Sequence, residues 1–371
     1  MGKLARRLFL FAPLGLAVVA VNYFVDPGHL FGRGVPEARI AEELIAGRSV
    51  VAGFAIDELR LQQGLAERRR HAPDVLVLGS SRAMPLSAEA FPGRAVVNAS
   101  VSSASLEDAI ALLELYEGHG LRPRTVFLAI EPWALNGSLR NPSVALEPEL
   151  QAGFRRLGRR AGSTYGALPV GLKRRWLRLL SPAYFQASLV SLLARGFEGR
   201  ASRASGRGRG AAEAPRAGSS RMQPDGSVEW QPVLAQRSPA EVEAMALAAG
   251  ARAPGYLQAG PDRDRVLLLG ALLGDLASRG VRVVLWLPPF HPAAYGTLVA
   301  GNHGRGLWRG EAEVRALAAA SRVPVLGSYD PARSDVAGED FIDYNHLRRG
   351  AANALVARQL AAAGIDLALP P

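Results

Sequence analysis

The chain contains no cysteine among its 371 residues. It therefore forms no disulfide bond, offers no thiolate nucleophile and binds no metal ion through cysteine. The histidines outside the candidate site described below are scattered without the spacing of metal ligands, so we expect neither a metal ion nor a cofactor. The absence of cysteine is compatible with any compartment, including that of an exported bacterial protein.

Composition favours a globular protein with a sizeable core. Hydrophobic residues make up 49% of the chain, and its length suits one large α/β domain or two small ones. The net charge of +11 would suit nucleic acid or another anionic surface, but arginine, alanine and glycine are abundant throughout. We attribute most of the charge to this composition and expect no nucleic-acid partner. The Arg- and Gly-rich tract 198–220 is interpreted as a solvated linker.

The N-terminus predicts a membrane anchor. Lys3, Arg6 and Arg7 precede an uncharged apolar stretch at 8–25 that is just long enough to cross a bilayer. We expect residues 1–30 to form a cytoplasmic leader and a transmembrane signal-anchor. The positive-inside rule then places the protein in the bacterial inner membrane with a single pass and with its C-terminal domain in the periplasm or outside the cell. A cleaved signal peptide is the alternative, because Val18 and Ala20 suit a cleavage site.

The rest of the chain predicts an α/β fold. Residues 31–72 are interpreted as a helical lead-in, and residues 73–365 as one domain with a helical, partly disordered insertion at about 137–260. Apolar strands alternate there with helical patterns, which is typical of a parallel sheet covered on both faces. The pattern predicts a three-layer α/β/α sandwich with a five-stranded, mostly parallel sheet. The strands are expected at 74–79, 94–99, 125–130, 281–288 and 323–328, and the main helices at 106–120, 262–280, 310–322 and 348–364.

Polar residues follow these strands at the edge where an open parallel sheet gathers functional groups. They are Ser80, Ser81 and Arg82 after the first strand, Asn98 and Ser100 after the second, Glu131, Trp133 and Asn136 after the third, His291 after the fourth, and Asp343 and His346 before the last helix.

A serine, a histidine and an aspartate at one sheet edge suit acyl transfer. A serine hydroxyl needs a base to take its proton, and a histidine does this best when a carboxylate fixes its tautomer. Asp343 lies three residues before His346, so a single turn of the loop brings the two side chains together. The backbone N–H groups of Ser81 and Ser100 are the expected donors to the developing oxyanion.

Two short motifs resemble the SGNH (GDSL-like) hydrolase family. The "GSSR" at 79–82 stands where that family has Gly-Asp-Ser, and the "DYNH" at 343–346 is similar to its Asp-x-x-His. The closer resemblance is to membrane-anchored members that work beside O-acyltransferases on cell-surface polymers. It covers roughly residues 70–135 and 280–365.

The resemblance implies a flavodoxin-like SGNH fold and a catalytic triad in which Ser81 is the nucleophile, His346 the general acid and base, and Asp343 its orienting partner. It also implies an acyl ester of a carbohydrate or cell-envelope polymer as substrate, and a multispanning membrane O-acyltransferase as partner. The expected function is that of an extracytoplasmic serine esterase or O-acyltransferase. Ser80, Arg82, Asn98, Glu131, Trp133 and His291 are expected to line the site.

The chain departs from the family pattern at the oxyanion donors. Ser100 stands where the family has glycine, and Glu131 stands where it has an asparagine donor. An ionised carboxylate accepts hydrogen bonds but donates none, so Asn136, five residues further on, is the remaining candidate. This departure supports an alternative function, that of a catalytically inactive accessory that binds glycan or scaffolds a membrane acyltransferase complex. A nucleophile elbow of the Gly-x-Ser-x-Gly type is a second hydrolase alternative, although its acid normally lies well before its histidine.

Overall fold

A computed structural model describes residues 2–25, 36–53, 56–136, 151–160, 162, 179–180, 185–186, 188–189, 192, 219–252, 257, 260–301 and 304–367. The helices are α1 (Gly2–Val25), α2 (Pro36–Ile45), α3 (Glu58–Arg68), α4 (Leu106–Gly118), α5 (Gln151–Arg160), α6 (Pro232–Ala235), α7 (Pro239–Arg252), α8 (Arg263–Ser278), α9 (Pro292–Ala300), α10 (Arg305–Ser321) and α11 (Arg349–Ala362). The strands are β1 (Val50–Gly53), β2 (Val75–Leu78), β3 (Val96–Asn98), β4 (Thr125–Ala129), β5 (Ser219–Met222), β6 (Val228–Glu229), β7 (Arg282–Leu287) and β8 (Val325–Gly327).

The predicted α/β fold with a five-stranded sheet is confirmed. Its strands run in the order β3-β2-β4-β7-β8, and every pairing in it is parallel. Counted within this sheet alone, the order is 2-1-3-4-5, that of a doubly wound fold. Such a sheet has its crevice at the carboxyl ends of the strands, where the strand order reverses between β2 and β4.

Both faces of this sheet are buried, which explains the unbroken apolar character of its strands. Leu128 and Leu285, paired across β4 and β7, point to the face covered by α4, α8 and α10. Their neighbours Phe127 and Val284 point to the opposite face, where α11 packs. Successive residues of a strand alternate between faces, so each face needs its own apolar set.

A second, smaller sheet was not predicted. β1, β5 and β6 form an antiparallel sheet, with Val50 opposite Met222 and Val228 also opposite Met222. The lead-in is therefore not wholly helical, because β1 separates α2 from α3. β5 begins inside the segment expected to be a solvated linker, whose residues 198–218 lie outside the described residues. Much of the insertion expected at about 137–260 lies outside them as well. The strands are short, and β1 lies far from β5 in sequence, so no local pattern predicts this pairing.

The predicted membrane anchor falls on α1, half of whose side chains lie outside the described part of the structure. Over the part of the chain that the structure describes, no helix is long and apolar enough to span a bilayer. The anchor stays a prediction.

The β5–β6 hairpin docks on the end of β3 through a close backbone contact. The N–H of Asn98 donates a hydrogen bond to the oxygen of Asp225 at 2.7 Å. Gly226, with φ of +87°, lies beside it, and a Cβ there would stand 2.3 Å from the Asn98 oxygen. Both the backbone conformation and the space therefore require glycine at this turn.

We expect Gly226→Ala to destabilise the protein more than Gly93→Ala does. Gly93 has a similar φ of +72° but nothing within 4 Å of an added Cβ, so its substitution isolates the conformational cost of about 1–2 kcal/mol. Gly226→Ala adds an overlap that costs about 1–3 kcal/mol more. Urea denaturation of the two variants measures the difference, and equal losses would show that the close contact is unimportant.

Candidate active site

Three predicted residues form a continuous chain of hydrogen bonds. The Ser81 Oγ lies 2.9 Å from the His346 Nε2, and the His346 Nδ1 lies 2.8 Å from the nearer Asp343 oxygen, Oδ2. Ser81 belongs to the turn after β2, and the other two residues belong to the loop before α11. The fold thus joins residues that are 265 positions apart in sequence.

Asp343 organises the loop that carries His346. Its Oδ1 accepts hydrogen bonds from the backbone N–H groups of Asn345 at 2.9 Å and His346 at 2.8 Å. The N–H of Ile342 donates to the His346 oxygen at 2.9 Å and closes the turn. One carboxylate therefore shapes the loop and orients the imidazole, a common ability of aspartate in tight turns.

The electrostatics suit a histidine that acts as a base. Burial acts to raise the pKa of Asp343, but the hydrogen bonds from His346 and from the Asn345 N–H prevail and hold that pKa below its usual value. An ionised carboxylate only accepts, so the proton of the neutral imidazole lies on Nδ1, and Nε2 is left to accept from Ser81. Trp230 packs edge-to-face against the His346 ring, at 5.5 Å between centroids.

A buried ion pair involves Arg82, the residue that follows Ser81. The Arg82 Nη1 donates to the Glu131 Oε2 at 3.0 Å, and both side chains are almost completely buried. The remaining guanidinium donors reach backbone oxygens, with Nε bonded to Asn345 at 2.9 Å and Nη2 bonded to Pro288 and Pro289 at 2.6 Å each. Arg82 and Glu131, expected only to line the site, therefore connect the nucleophile turn to the ends of β4 and β7 and to the histidine loop.

Ser80 is committed to the same network. Its Oγ donates to the Glu131 Oε1 at 2.5 Å and accepts from the N–H of Arg82 at 3.2 Å. Of the two adjacent serines, the one that faces His346 is Ser81, as the sequence predicts.

Asn98 supports the turn after Ser81, and it accepts the hydrogen bond of one expected oxyanion donor, the backbone N–H of Ser100. Its Nδ2 donates to the oxygens of Ala83 and Leu86, both at 2.8 Å. Its Oδ1 accepts the backbone N–H of Ser100 at 3.0 Å, so that N–H is already engaged. The Ser100 Oγ, in contrast, is buried and has no hydrogen-bond partner among the described residues. Within the same described part of the chain, the Ser81 N–H has no acceptor either.

The other predicted residues make structural contacts. The Trp133 Nε1 donates to the Ala104 oxygen at 3.1 Å. The Asn136 backbone oxygen accepts from Arg265, which is paired with the buried Glu107. His291 caps the N-terminus of α9, where its Nδ1 accepts from the Ala293 N–H at 3.1 Å, and burial lowers its pKa.

Two residues of the site were not predicted. Trp230 follows β6 inside the insertion, and no pattern in the sequence marks it as a neighbour of His346. Asn345 contributes its backbone oxygen to Arg82, and a backbone contact leaves no signal in the choice of side chain.

No protein-family model, curated protein or solved structure matches the chain. Its function must therefore be inferred from the geometry of the site. In the described part of the chain, no group of three or more histidine, aspartate or glutamate side chains is placed to hold a metal ion.

We expect Glu131→Gln to lower the free energy of unfolding by about 3–5 kcal/mol, because it leaves the buried Arg82 charge without a counterion. Glu43→Gln is the matched control, since Glu43 pairs with Arg48 at an exposed site and its loss leaves stability nearly unchanged. Chemical denaturation measures both. Small losses of equal size in both variants would contradict a structural role for the buried pair.

The lowered pKa of Asp343 predicts how stability depends on pH. The unfolded chain binds a proton at this carboxyl more readily than the folded one, so the contribution of Asp343 is fully present above about pH 5 and is lost as pH falls below about 4. We expect the difference in unfolding free energy between the native protein and Asp343→Asn to shrink over that range. Urea titrations at about pH 3 to 7 measure it, and a constant difference contradicts the prediction.

Proposed function

We propose that the protein is an extracytoplasmic serine ester hydrolase or O-acyltransferase of the SGNH type. The observation that carries this proposal is the chain of hydrogen bonds from Ser81 through His346 to Asp343. A nucleophile, a base and a group that orients the base, all within hydrogen-bond reach, are what covalent acyl transfer requires.

The proposed reaction has two halves. The Ser81 Oγ attacks the ester carbonyl carbon while the His346 Nε2 takes the hydroxyl proton, and the imidazolium is stabilised by the Asp343 carboxylate. The tetrahedral intermediate then expels the alcohol, which takes the proton from His346 and leaves an acyl ester on Ser81. Water or an acceptor hydroxyl next gives its proton to His346 and attacks that ester, which frees Ser81 and yields an acid or a new ester.

The negative oxygen of the intermediate needs donors near Ser81. The Ser81 N–H and the Ser100 Oγ are the two groups that support this role, since no other described group occupies them. The Ser100 hydroxyl would stand in for its own N–H, which is bound to Asn98. Glu131 is unsuited because both of its oxygens accept hydrogen bonds.

The fold and the N-terminus support the finer parts of the proposal. The strand order 2-1-3-4-5, with Ser81 at the point where the order reverses, suits a three-layer sandwich of the SGNH type. The exposed apolar side chains of Leu16 and Phe24 on α1 suit a membrane anchor. The proposed substrate is an acyl ester of a carbohydrate or cell-envelope polymer, with a multispanning O-acyltransferase as partner.

A second candidate function is that of an inactive accessory that holds a glycan or scaffolds an acyltransferase complex. The engaged N–H of Ser100 favours it, because this removes one donor that an active site of this type needs. The two candidates predict opposite results with a reagent that reacts only with an activated serine.

We expect a fluorophosphonate probe to label the protein at Ser81 and Ser81→Ala to abolish labelling. Ester hydrolysis should fall by at least about three orders of magnitude in that variant. Ser278→Ala is the control and should be labelled as the native protein is, because Ser278 is exposed at the end of α8 and donates to the Asp275 oxygen. Circular dichroism checks that each variant is folded. A folded native protein that resists labelling would refute the hydrolase and support the accessory.

A further inference from the structure

A cavity of about 170 Å³ lies between the small antiparallel sheet and the main domain. β1, α3, β5 and β6 contribute to its walls, which are largely apolar. The apolar lining includes Ala52, Ile56, Leu61, Met84, Met222 and Val228. Most of this lining comes from segments that contribute nothing to the triad.

The cavity nevertheless adjoins the triad. Trp230 lines it, and the same indole packs against the His346 ring at 5.5 Å. Met84 also lines it, only three residues after Ser81, and its backbone oxygen accepts the N–H of Val228 at 2.8 Å. One wall of the cavity is thus continuous with the catalytic turn.

Two donors at the cavity have no partner within the described residues. The Ser100 hydroxyl lines the cavity with its residue only 5% exposed, and the Trp230 Nε1 is buried as well. Buried donors without partners cost free energy, and native structures normally satisfy them. A bound molecule that brings one oxygen into an otherwise apolar space would satisfy such a donor.

Two carboxylate or amide side chains of the lining, Glu58 and Gln62, already accept hydrogen bonds from neighbouring residues. Glu58 accepts hydrogen bonds from the N–H and the hydroxyl of Ser102, at 2.5 and 2.7 Å. Gln62 accepts from the Tyr116 hydroxyl at 2.6 Å. A sugar ring would need several free partners for its hydroxyl groups, whereas a hydrocarbon chain next to a carbonyl needs few. The occupant that fits is therefore an acyl chain.

We propose that this cavity holds the acyl chain of the ester substrate and selects acyl chains of about four to six carbons. This inference rests on the proposed function, since it names the acyl group that Ser81 would carry. The length follows from the volume, because an apolar cavity of about 150 Å³ takes a ligand of about six carbon atoms.

The first test measures kcat/KM of the full chain for p-nitrophenyl esters with two, four, six, eight and ten acyl carbons. We expect kcat/KM to rise about three- to fourfold for each added methylene up to about six carbons, and to fall beyond. Ala52→Leu fills the cavity and should lower the hexanoate-to-acetate ratio at least about tenfold. Met222→Ala enlarges it and should move the optimum to longer chains. Met245→Ala, on the exposed side of α7, is the matched control and should leave the profile unchanged.

The second test separates the cavity from the chemistry. In Ser81→Ala, sodium hexanoate should shift the indole ¹H–¹⁵N resonance of Trp230, assigned with Trp230→Phe, and sodium acetate should shift it far less. Hydrolysis with a chain-length profile that neither cavity variant changes would overturn the cavity proposal and leave the esterase standing. A selective hexanoate shift in a protein that hydrolyses no ester would keep the cavity and refute the esterase. No shift and no hydrolysis would overturn both.

Discussion

The site is built on one buried guanidinium. Arg82 pairs with Glu131 and reaches three backbone oxygens, those of Pro288, Pro289 and Asn345. These partners belong to the ends of β4 and β7 and to the histidine loop, while Arg82 itself follows the nucleophile. Because a buried charge is tolerated only when it is paired and fully hydrogen-bonded, each of these segments is held where the guanidinium needs its oxygen. The distance between Ser81 and His346 is a consequence of that requirement.

The same arrangement explains why a glutamate, and not a neutral side chain, stands at position 131. A neutral donor at this position would leave the Arg82 charge without a counterion in the protein interior, at a large cost. Glu131 supplies that counterion and also accepts from Ser80, which keeps the first of the two serines away from His346. The buried ion pair thus supports the turn that carries Ser81.

Much of the α/β core and the triad geometry can be predicted from the sequence because both obey local rules. A strand buried on both faces is written as an apolar run, and parallel strands bring their carboxyl ends to one edge. These two rules bring Ser81, His346 and Asp343 to the same edge of the sheet. They do not pair Arg82 with Glu131, although two opposite charges that follow neighbouring buried strands are a signal of such a pair. The small sheet escapes prediction for a different reason, because its β1–β5 pairing joins residues as far apart in sequence as Val50 and Met222.

The β5–β6 hairpin docks on the main domain at Gly226, and the two parts contribute different residues to the region around Ser81. The parallel sheet positions Ser81, and the hairpin and β1 supply part of the wall of the neighbouring cavity. The hairpin meets the main domain through backbone hydrogen bonds at Asn98 and Met84, and through the Trp230 ring on His346. Substitutions on the hairpin would thus reshape the cavity while the residues that support Ser81 stay the same. Under the proposed function, the acyl group selected could therefore change while the triad stays the same.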